Sequence, residues 1–326
     1  MISVIMATYN GEKYLKAQLD SILNQSTLVD EIVIVDDHSS DKTLEILKEY
    51  KKKYSIIKIY PNEINKGHFY SFIKGMIIAK GDFIFFSDQD DIWEEKKIEV
   101  MLNIYNDYSR KNICIQSNSI YIDSIGKVLS KRKIKNKNFL ENNINILKYP
   151  GAGYEMMIDC ELKKKIVNLS LEELKYFDYH DVLIGYMALI HGSYIRSNIY
   201  LNQHRIHNNN VTANSKSKYF SQSLEERIKY ITNVEKNRIK GVKEILEKSS
   251  VKNKEHKISD IEKYYSFLEK RKLFLEKNRI KDFFYLLRSI NYYRRKETFF
   301  VDCCYAFKIN KLAKIIVNRK KRRIYW

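Results

Sequence analysis

The stretch DFIFFSDQDDIW, residues 82–93, joins a short run of apolar, strand-favouring residues to a cluster of carboxylates. Working outward, similar apolar runs occur at ISVIMA (2–7), EIVIV (31–35) and IIKIY (56–60), and between successive runs the apolar residues recur at helical spacing. Strands that alternate with helices predict an α/β domain, built on a mostly parallel sheet with helices packed against it.

Length and composition set the class of protein. The 326 residues suffice for one large α/β domain and an appendage. A hydrophobic content of 44% with 13% aromatic residues excludes global disorder. Four cysteines without CxxC spacing predict reduced thiols and no zinc site. The start at Met1 lacks the features of a signal peptide and no run reaches 18 apolar residues, so we expect a cytoplasmic protein without a spanning helix.

Positive charge is concentrated in the last third of the chain. Residues 1–214 have a net charge of +1, and residues 215–326 have a net charge of +18. A polar loop at residues 202–215 separates the two parts and predicts a domain boundary. Beyond it, segments such as SLEERIKYITNVEKNRIKGVKEIL predict amphipathic helices. Such a basic region would be attracted to an anionic surface, either lipid or nucleic acid.

Polar clusters follow three of the predicted strands, at Thr8–Asn10, Asp36–Ser40 and Ser87–Asp91. We expect them to converge, because ligands of such sheets bind at the carboxyl ends of the strands. Three carboxylates within four positions repel one another, and their oxygens suit Mg²⁺ or Mn²⁺. The alternative is a solvated acidic turn that opens the following helix.

The segments ISVIMATYNG, EIVIVDDHSSD and NKGHFYSFIKGMIIAKGDFIFFSDQDDIW together resemble the nucleotide-binding half of family 2 glycosyltransferases, which have the GT-A fold. SDQDDIW is particularly similar to rhamnosyltransferase-like members of bacterial cell-surface polysaccharide synthesis. The resemblance implies a catalytic domain at 1–214, with a nucleotide-sugar half at 1–110 and an acceptor half at 111–214. Residues 215–326 would form a basic, helical appendage.

The resemblance also implies roles for residues of the first half. Asp88 would lie near the donor ribose and the metal, Asp90 would bind the metal, and Asp91 would orient the acceptor. The remaining donor contacts would come from Thr8, Tyr9, Asn10, Asp36, Asp37, Asn65 and Gly67. Whether Asp36 or Asp37 contacts the base stays open, and the alternative roles are a helix cap for these aspartates and a plain turn for Asn65 and Gly67.

For the acceptor half, YHDVLIGYMALIHG resembles the segment in which the family places its acidic pair. His180 would lie on the acceptor side and Asp181 would be the catalytic base, the alternative being that Asp181 caps the helix. Trp93 would pack either on the acceptor side or in the core.

Further along, HRIHNNNV resembles a family segment that implies Arg205 as a diphosphate contact and His207 as a metal ligand, unless the segment is only a polar loop. His204 departs from that pattern and receives no role.

The function implied is an inverting, metal-dependent transferase that moves a sugar, with rhamnose from dTDP-rhamnose favoured, from a nucleoside diphosphate to a polysaccharide or lipid-linked acceptor. The alternatives are a sugar nucleotidyltransferase and a non-catalytic membrane or nucleic-acid adaptor.

The basic run Arg319–Arg323 lies beside Ile324, Tyr325 and Trp326, and with FFYLLRSINYYRR it favours peripheral binding to the inner face of an anionic membrane. A solvated basic tail is the alternative. Nucleic acid is disfavoured as a partner because the near-neutral first part lacks the corresponding groove chemistry.

Overall fold

A computed structural model describes residues 1–108, 110–131, 137–140, 151–207, 223–293 and 296–309, with the backbone alone for 137–140. The chain divides into two compact units. Of the described residues, the first unit takes those from Met1 to Arg205 apart from Leu171–Phe177, and the second takes Leu171–Phe177 and those from Ile206 onwards. The boundary predicted at residue 214 lies outside the described residues.

The first unit alternates strands and helices as its apolar runs predict. Its elements in chain order are β1 (Ile2–Thr8), α1 (Leu15–Leu23), β2 (Glu31–Asp36), α2 (Thr43–Lys53), β3 (Ile57–Pro61), α3 (His68–Ile78), β4 (Phe83–Ser87), β5 (Ile92–Trp93), α4 (Lys97–Asp107), β6 (Ile113–Ile122), β7 (Val128–Lys131), β8 (Lys137–Leu140), β9 (Met156–Asp159), α5 (Cys160–Val167), α7 (His180–His191) and β10 (Ser193–Arg205). The short helix α6 (Leu171–Leu174) belongs to the second unit.

The described strands form one mixed sheet with the order β3-β2-β1-β4-β9-β6-β10-β5, to which β7 and β8 add at β6 and β10. The four strands predicted from the first third of the chain are parallel, with β1 between β2 and β4. Strand β9 pairs antiparallel with both β4 and β6, so the sheet changes direction at this point. The predicted α/β class is confirmed, with parallel pairing among β1–β4 and between β6 and β10.

Burial explains why the first strands are continuous apolar runs. All six residues of β2 are buried, as are the inner residues of β1 and β4. Both faces of this part of the sheet are therefore covered, which is the usual condition of parallel strands. Helix α1 contributes Leu15, Leu19 and Ile22, which are fully buried. The polar residues that end these strands are thus held on a rigid frame.

In the second unit, five helices follow one another: α8 (Leu224–Tyr230), α9 (Lys236–Lys248), α10 (Lys254–Lys277), α11 (Ile280–Arg288) and α12 (Lys296–Ala306). Helix α8 begins with a capping box in which Ser223 and Glu226 bond each other's backbone N–H groups. A single π-helical turn, Ile231–Glu235, joins it to α9. The core of the second unit contains three buried phenylalanines, Phe267, Phe274 and Phe299.

A buried ion cluster links three of these helices. Asp302 of α12 accepts hydrogen bonds from Arg227 of α8 and from Arg271 of α10, whose Nε lies 2.7 Å from Oδ2. Glu235 also contacts Arg271, at 3.1 Å. Burial alone would raise the pKa of Asp302, but both of its carboxylate oxygens accept hydrogen bonds from guanidiniums, and these two cations hold its pKa below the ordinary value.

One local expectation needs correction. The polar loop predicted from residue 202 begins later, because Asn202–Arg205 continue β10 through pairing with Ser119–Ile122 of β6. The 24-residue helix α10 agrees with the helical appendage predicted for this segment. No helix among the described residues is long and apolar enough to cross a membrane.

Candidate active site

The three polar clusters meet at one edge of the sheet, as the parallel strand order predicts. Thr8 lies opposite Asp36 in the β1–β2 register, and its Oγ1 donates to the Asp36 carboxylate at 2.8 Å. The loop after β4 joins them through Gln89, which accepts from the Tyr9 N–H and donates to the Tyr9 carbonyl, each at 2.9 Å. The side chain of Gln89 thus clamps the backbone of the first loop to the acidic loop.

Gly11 is required beside this clamp. A Cβ at Gly11 would lie 2.2 Å from Oε1 of Gln89, which is far inside contact distance. The loop therefore carries a glycine where the amide of Gln89 approaches the backbone. The Tyr9 ring is 50% exposed, so it is available to stack on a ligand.

Asp36 and Asp37 are both buried, and each organises a different loop. Asp36 accepts from the backbone N–H and the hydroxyl of Ser39, at 2.9 and 2.6 Å. Asp37 accepts from the N–H groups of Lys66 and Gly67, both at 2.8 Å. These bonds give each aspartate a positioning role, and they leave open which of the two would contact a base.

The other predicted donor contacts lie on the loops that these aspartates hold. Asn10 has a left-handed backbone, with φ of 48°, and its side-chain oxygen accepts from the Ser40 N–H at 2.8 Å. Gly67 has φ of 85° at the start of α3, and its N–H also lies 3.1 Å from Oδ1 of Asn65. A positive φ at this position favours glycine, and the turn brings the backbone to the site edge.

Asp88, Asp90 and Asp91 follow β4 and form the acidic cluster. One carboxylate oxygen from each lies within 4.8 Å of the others. Burial, followed by the charges of Asp91 and Asp90, raises the pKa of Asp88 well above its ordinary value. Asp181 acts in the same direction, so it lies within electrostatic reach of Asp88. Negative charge at this point is therefore costly unless a cation is bound.

Asp91 is buried, and only half of its carboxylate is occupied. Oδ1 lies 2.8 Å from Nδ1 of His204 and accepts from the Arg205 N–H at 2.9 Å. Oδ2 has no hydrogen-bond partner among the described residues. Burial raises the pKa of Asp91, although His204 acts against this. An unsatisfied buried carboxylate oxygen beside two other aspartates is the arrangement expected of a cation ligand.

His204 is held in one orientation by aromatic residues. Its ring stacks on Tyr154 with a centroid distance of 4.4 Å and an interplanar angle of 5°. The edge of Tyr121 lies at 5.9 Å. His204 received no role from the sequence, yet it is the partner of Asp91. The signal that could have found it is its place directly before Arg205, on the strand adjacent to the acidic loop.

The guanidinium of Arg205 reaches the acidic loop through its backbone. Its Nε donates to the Asp90 carbonyl at 3.0 Å, and a second nitrogen donates to the Asp123 carbonyl at 3.2 Å. The group lies 4.7 Å from the centre of the Tyr14 ring. Arg205 is 5% exposed. The structure therefore places this cation beside Asp90, and a bound phosphate would compete with these carbonyls for its donors.

His180 and Asp181 open α7, as the sequence predicts. The His180 ring stacks on Phe72 at 3.7 Å, and neither ring nitrogen has a hydrogen-bond partner among the described residues. Burial lowers the pKa of His180 well below its ordinary value. A Cβ at Gly153 would lie 2.1 Å from Nε2 of His180, which explains the small residue there.

Asp181 is the second residue of α7, and the N-cap is Tyr179, which makes no side-chain capping bond. Oδ1 of Asp181 accepts from the adjacent Val182 N–H at 2.7 Å. A carboxylate in the first turn is stabilised by the helix dipole, which favours its charged form. The local bond and a role at the site are therefore compatible.

Trp93 lies in the core, with 3% of its surface exposed. The Nζ of Lys97 lies 3.8 Å from the centre of its ring and donates to the Tyr154 carbonyl and to Oδ1 of Asn202, at 2.7 and 2.6 Å. Burial lowers the pKa of Lys97 well below its ordinary value, while Asp91 and Glu155 act in the opposite direction. Lys97 was missed by sequence reasoning because Lys96-Lys97 reads as the solvated start of a helix.

His207 is half-buried and belongs to the second unit. The described group of potential metal ligands consists of the three aspartates and does not include it. Its predicted role as a metal ligand therefore stays a prediction.

Comparisons with known proteins agree with the fold. The family model described as "Glycosyl transferase family 2" matches residues 3–163. A dTDP-rhamnosyl transferase, RfbG of Shigella flexneri, is 42% identical over 123 residues, which are 35% of this chain and 41% of that protein. An uncharacterized glycosyltransferase of Methanocaldococcus jannaschii, MJ1057, is 34% identical over 169 residues, 51% of this chain and 58% of the relative.

Among solved structures, residues 1–349 of TarS from S. aureus in complex with UDP superpose with a TM-score of 0.53 at 18% identity, covering 82% of this chain and 90% of that one. This likeness concerns the fold. Residues 3–163 therefore form a glycosyltransferase family 2 domain. The chain spans less than two thirds of the length of both RfbG and MJ1057.

The residues of the acidic cluster fit a hard divalent cation. All three potential ligands are carboxylates, and one buried oxygen, Oδ2 of Asp91, has no other described partner. Mg²⁺ and Mn²⁺ prefer oxygen ligands and retain sites for water or phosphate oxygens. The sulfur ligands of a zinc or copper site are not part of this group.

Proposed function

We propose that the chain is an inverting, metal-dependent glycosyltransferase that moves a sugar from a nucleoside diphosphate to a hydroxyl of a polysaccharide or a lipid-linked oligosaccharide. The observation that carries this proposal is the cluster of Asp88, Asp90 and Asp91 on the edge where the loops after β1 and β2 also meet. A like-charged cluster on a rigid frame suits a bound cation and a diphosphate.

The donor would lie along the loops that follow β1, β2 and β4. Tyr9 would stack on the base, with Thr8, Asn10, Asp36 and Asp37 organising the loops around it. Asn65 and Gly67 would border the ribose or the sugar, Asp88 and Asp90 would bind Mn²⁺ or Mg²⁺, and Arg205 would face the diphosphate. When bound, the cation would supply Lewis-acid stabilisation of the leaving nucleoside diphosphate. His207 is proposed as a further ligand.

Asp181 is the proposed base. Its carboxylate would take the proton of the acceptor hydroxyl while that oxygen bonds to the anomeric carbon from the side opposite the leaving group. The bond between that carbon and the phosphate oxygen breaks, and the configuration inverts. Asp91 would orient the acceptor, and Trp93 and His180 would support the acceptor side from the core, because both rings are buried.

Rhamnose from dTDP-rhamnose is the favoured donor. The support is the 42% identity, over 123 residues, with a protein described as a dTDP-rhamnosyl transferase. The UDP bound by the TarS structure supports a nucleoside diphosphate in general. The acceptor would be reached from the cytoplasmic face of an anionic membrane, to which the basic second unit is suited.

The donor proposal is tested by thermal unfolding in the presence of UDP-, dTDP- and GDP-sugars, with and without Mn²⁺. A ligand that binds only the folded state raises the melting temperature. We expect a Mn²⁺-dependent increase that is largest with dTDP-rhamnose. An increase with UDP-sugars alone would replace the favoured donor, and a folded protein without any increase would contradict the donor site.

The base is tested with Asp181→Asn. We expect transfer to fall about a hundredfold to ten-thousandfold, the usual contribution of a general base, with donor binding unchanged. Asp178→Asn is the matched control, because Asp178 is an exposed aspartate three residues earlier in the chain. Equal activities of the two variants would exclude Asp181 as the base.

A further inference from the structure

An apolar stripe lies on the outer face of α11. It consists of Ile280, Phe284 and Leu287, which are 69%, 54% and 43% exposed. At about 100° per residue, the three side chains fall within a sector of roughly 60°. Leu286 and Asp282, which are buried, lie on the opposite side of the helix. Exposed aliphatic and aromatic residues at this spacing form a continuous surface and not a set of isolated contacts.

Positive charge borders this stripe along one edge. Lys281 and Arg288 are exposed and lie seven residues apart, so they share a face next to Phe284. Asp282 is the one acidic residue between Lys277 and Ser289, and it is buried and bonded to Arg279 at 2.6 Å. The exposed charge of this segment is therefore entirely positive. The outward half of α11 is apolar on one side and cationic on the other.

The stripe is fixed to the second unit from below. The ring of Phe283 lies 5.8 Å from that of Phe299 on α12 and 6.2 Å from that of Phe274 on α10. Phe307, 43% exposed, lies 6.1 Å from Phe283 and extends the apolar surface beyond α11. A rigid, preformed face of this kind loses little conformational entropy when it binds.

We propose that the stripe of Ile280, Phe284 and Leu287, with its Lys281 and Arg288 edge, docks the protein on the surface of an anionic lipid bilayer. The helix lies parallel to the membrane plane, with its apolar residues among the upper acyl chains and its cations among the lipid phosphates. This deepens the proposed membrane association, and its use in catalysis rests on the proposed transfer to a lipid-linked acceptor.

The charge pattern favours lipid over the other occupants. A second copy docked stripe to stripe would oppose two cationic edges without an exposed acid in the same segment to balance them. A nucleic acid would find aliphatic side chains at the centre of the surface, where phosphate and base contacts need polar groups. An anionic bilayer satisfies both parts of the surface together.

The test is sedimentation of the full chain with vesicles of phosphatidylcholine alone and of phosphatidylcholine mixed with phosphatidylglycerol. We expect binding to the mixed vesicles. Ile280→Ser/Phe284→Ser/Leu287→Ser should lower the partition coefficient roughly tenfold or more. Leu28→Ser/Ile77→Ser/Leu171→Ser is the matched control, because it removes three exposed apolar side chains elsewhere and should bind as the wild type does.

A second variant separates docking from folding. Lys281→Gln/Arg288→Gln leaves the stripe intact. At low salt it should reduce the preference for vesicles with phosphatidylglycerol severalfold relative to the wild type, and at high salt the two proteins should bind alike. The run Arg319–Arg323 is unchanged in every variant, so its attraction to lipid is constant. Circular dichroism checks that each variant is folded.

Three outcomes would overturn the proposal: no binding of the wild type, equal binding of the stripe variant and its control, or a wild-type dimer that the stripe variant converts to a monomer. The last would assign the stripe to a second copy of the chain. Vesicle binding is measured without donor, and donor binding is measured without vesicles. A failure of docking is thereby distinguished from a failure of the proposed transferase function.

Discussion

Two buried aspartates, one in each compact unit, differ in how their charge is balanced. In the second unit, Asp302 is enclosed by Arg227 and Arg271, and its pKa is lowered. In the first unit, Asp91 shares one oxygen with His204, leaves the other without a described partner, and has a raised pKa. The charge of the aspartate is therefore balanced in the structural cluster of the second unit and left unbalanced at Asp91, beside Asp88 and Asp90, where we propose that a cation binds.

The comparison is tested most strongly by removing the paired charge. Asp302→Asn removes the buried carboxylate that Arg227 and Arg271 share, so we expect the free energy of unfolding to fall by about 3–5 kcal/mol. Urea denaturation followed by circular dichroism measures the change. Affinity of the remaining folded protein for a nucleotide sugar should be unchanged. A loss of less than about 1 kcal/mol would mean that Asp302 is not a structural ion pair.

The contribution of Asp302 to the free energy of unfolding should depend on pH. Because the folded pKa of Asp302 lies below the unfolded value near 3.8, its contribution to stability is present above that pH. It is lost as the pH falls through the folded pKa. The difference in unfolding free energy between wild type and Asp302→Asn should therefore be constant at neutral pH and shrink in acid. A difference that grows below pH 3.8 would reverse the assigned sign.

Removing the unbalanced charge should have the opposite effect on folding. The pKa of Asp88 is raised by burial and by two neighbouring carboxylates, so its charged form opposes folding of the metal-free protein. Asp88→Asn should raise the unfolding free energy of the metal-free protein at pH 7, because it removes a charge that burial and the two neighbouring carboxylates disfavour. The melting temperature increase with Mn²⁺ and donor should disappear.

The control for Asp88→Asn is Asp82→Asn, which removes an exposed aspartate at the other end of β4. It should retain the response to Mn²⁺ and donor. If Asp88→Asn destabilised the metal-free protein by as much as Asp302→Asn does, the two aspartates would both be structural and the contrast between the units would fail.

Part of the fold and of the candidate site could be predicted from the sequence. Strands β1, β2 and β4 are buried on both faces, so each is a local apolar run, and the strand order fixes which polar residues converge. Thr8, Asp36 and the loop of Asp88 to Asp91 meet for that reason. The basic helices of the second unit were also indicated, by apolar residues at helical spacing among lysines and arginines.

The rest depends on contacts between distant parts of the chain. The buried Lys97 donates to Tyr154 and Asn202, which lie 57 and 105 residues further along the chain. His204 pairs with Asp91 only because β10 continues past residue 202 beside the acidic loop. Strand β9 has four buried residues and no alternation, so nothing in its sequence predicts insertion between β4 and β6. Local patterns carry none of this information.

A smaller effect should come from altering Gln89, whose side chain joins the loop after β4 to the loop after β1. Gln89→Glu removes the donor to the Tyr9 carbonyl and places a carboxylate oxygen against it. We expect donor affinity to fall about five- to thirtyfold, the loss of one hydrogen bond with some repulsion. Calorimetric titration with the nucleoside diphosphate measures it. Gln203→Glu, in which the substituted amide bonds Glu94 at 3.0 Å, is the control and should leave that affinity unchanged.

The smallest effect separates a turn that serves the site from one that serves only the fold. Gly67 and Gly126 have φ of 85° and 91°, and a Cβ at either would meet no atom within 4 Å. Alanine should therefore cost each turn about 1–2 kcal/mol of backbone strain and nothing from collision. Only Gly67 lies on the loop that Asp37 holds at the proposed donor site. Gly67→Ala should weaken donor binding severalfold, and Gly126→Ala should match its loss of stability without that weakening. If both variants bound the donor equally, the loop of Gly67 would serve the fold alone, and Gly67 would not belong to the proposed donor site.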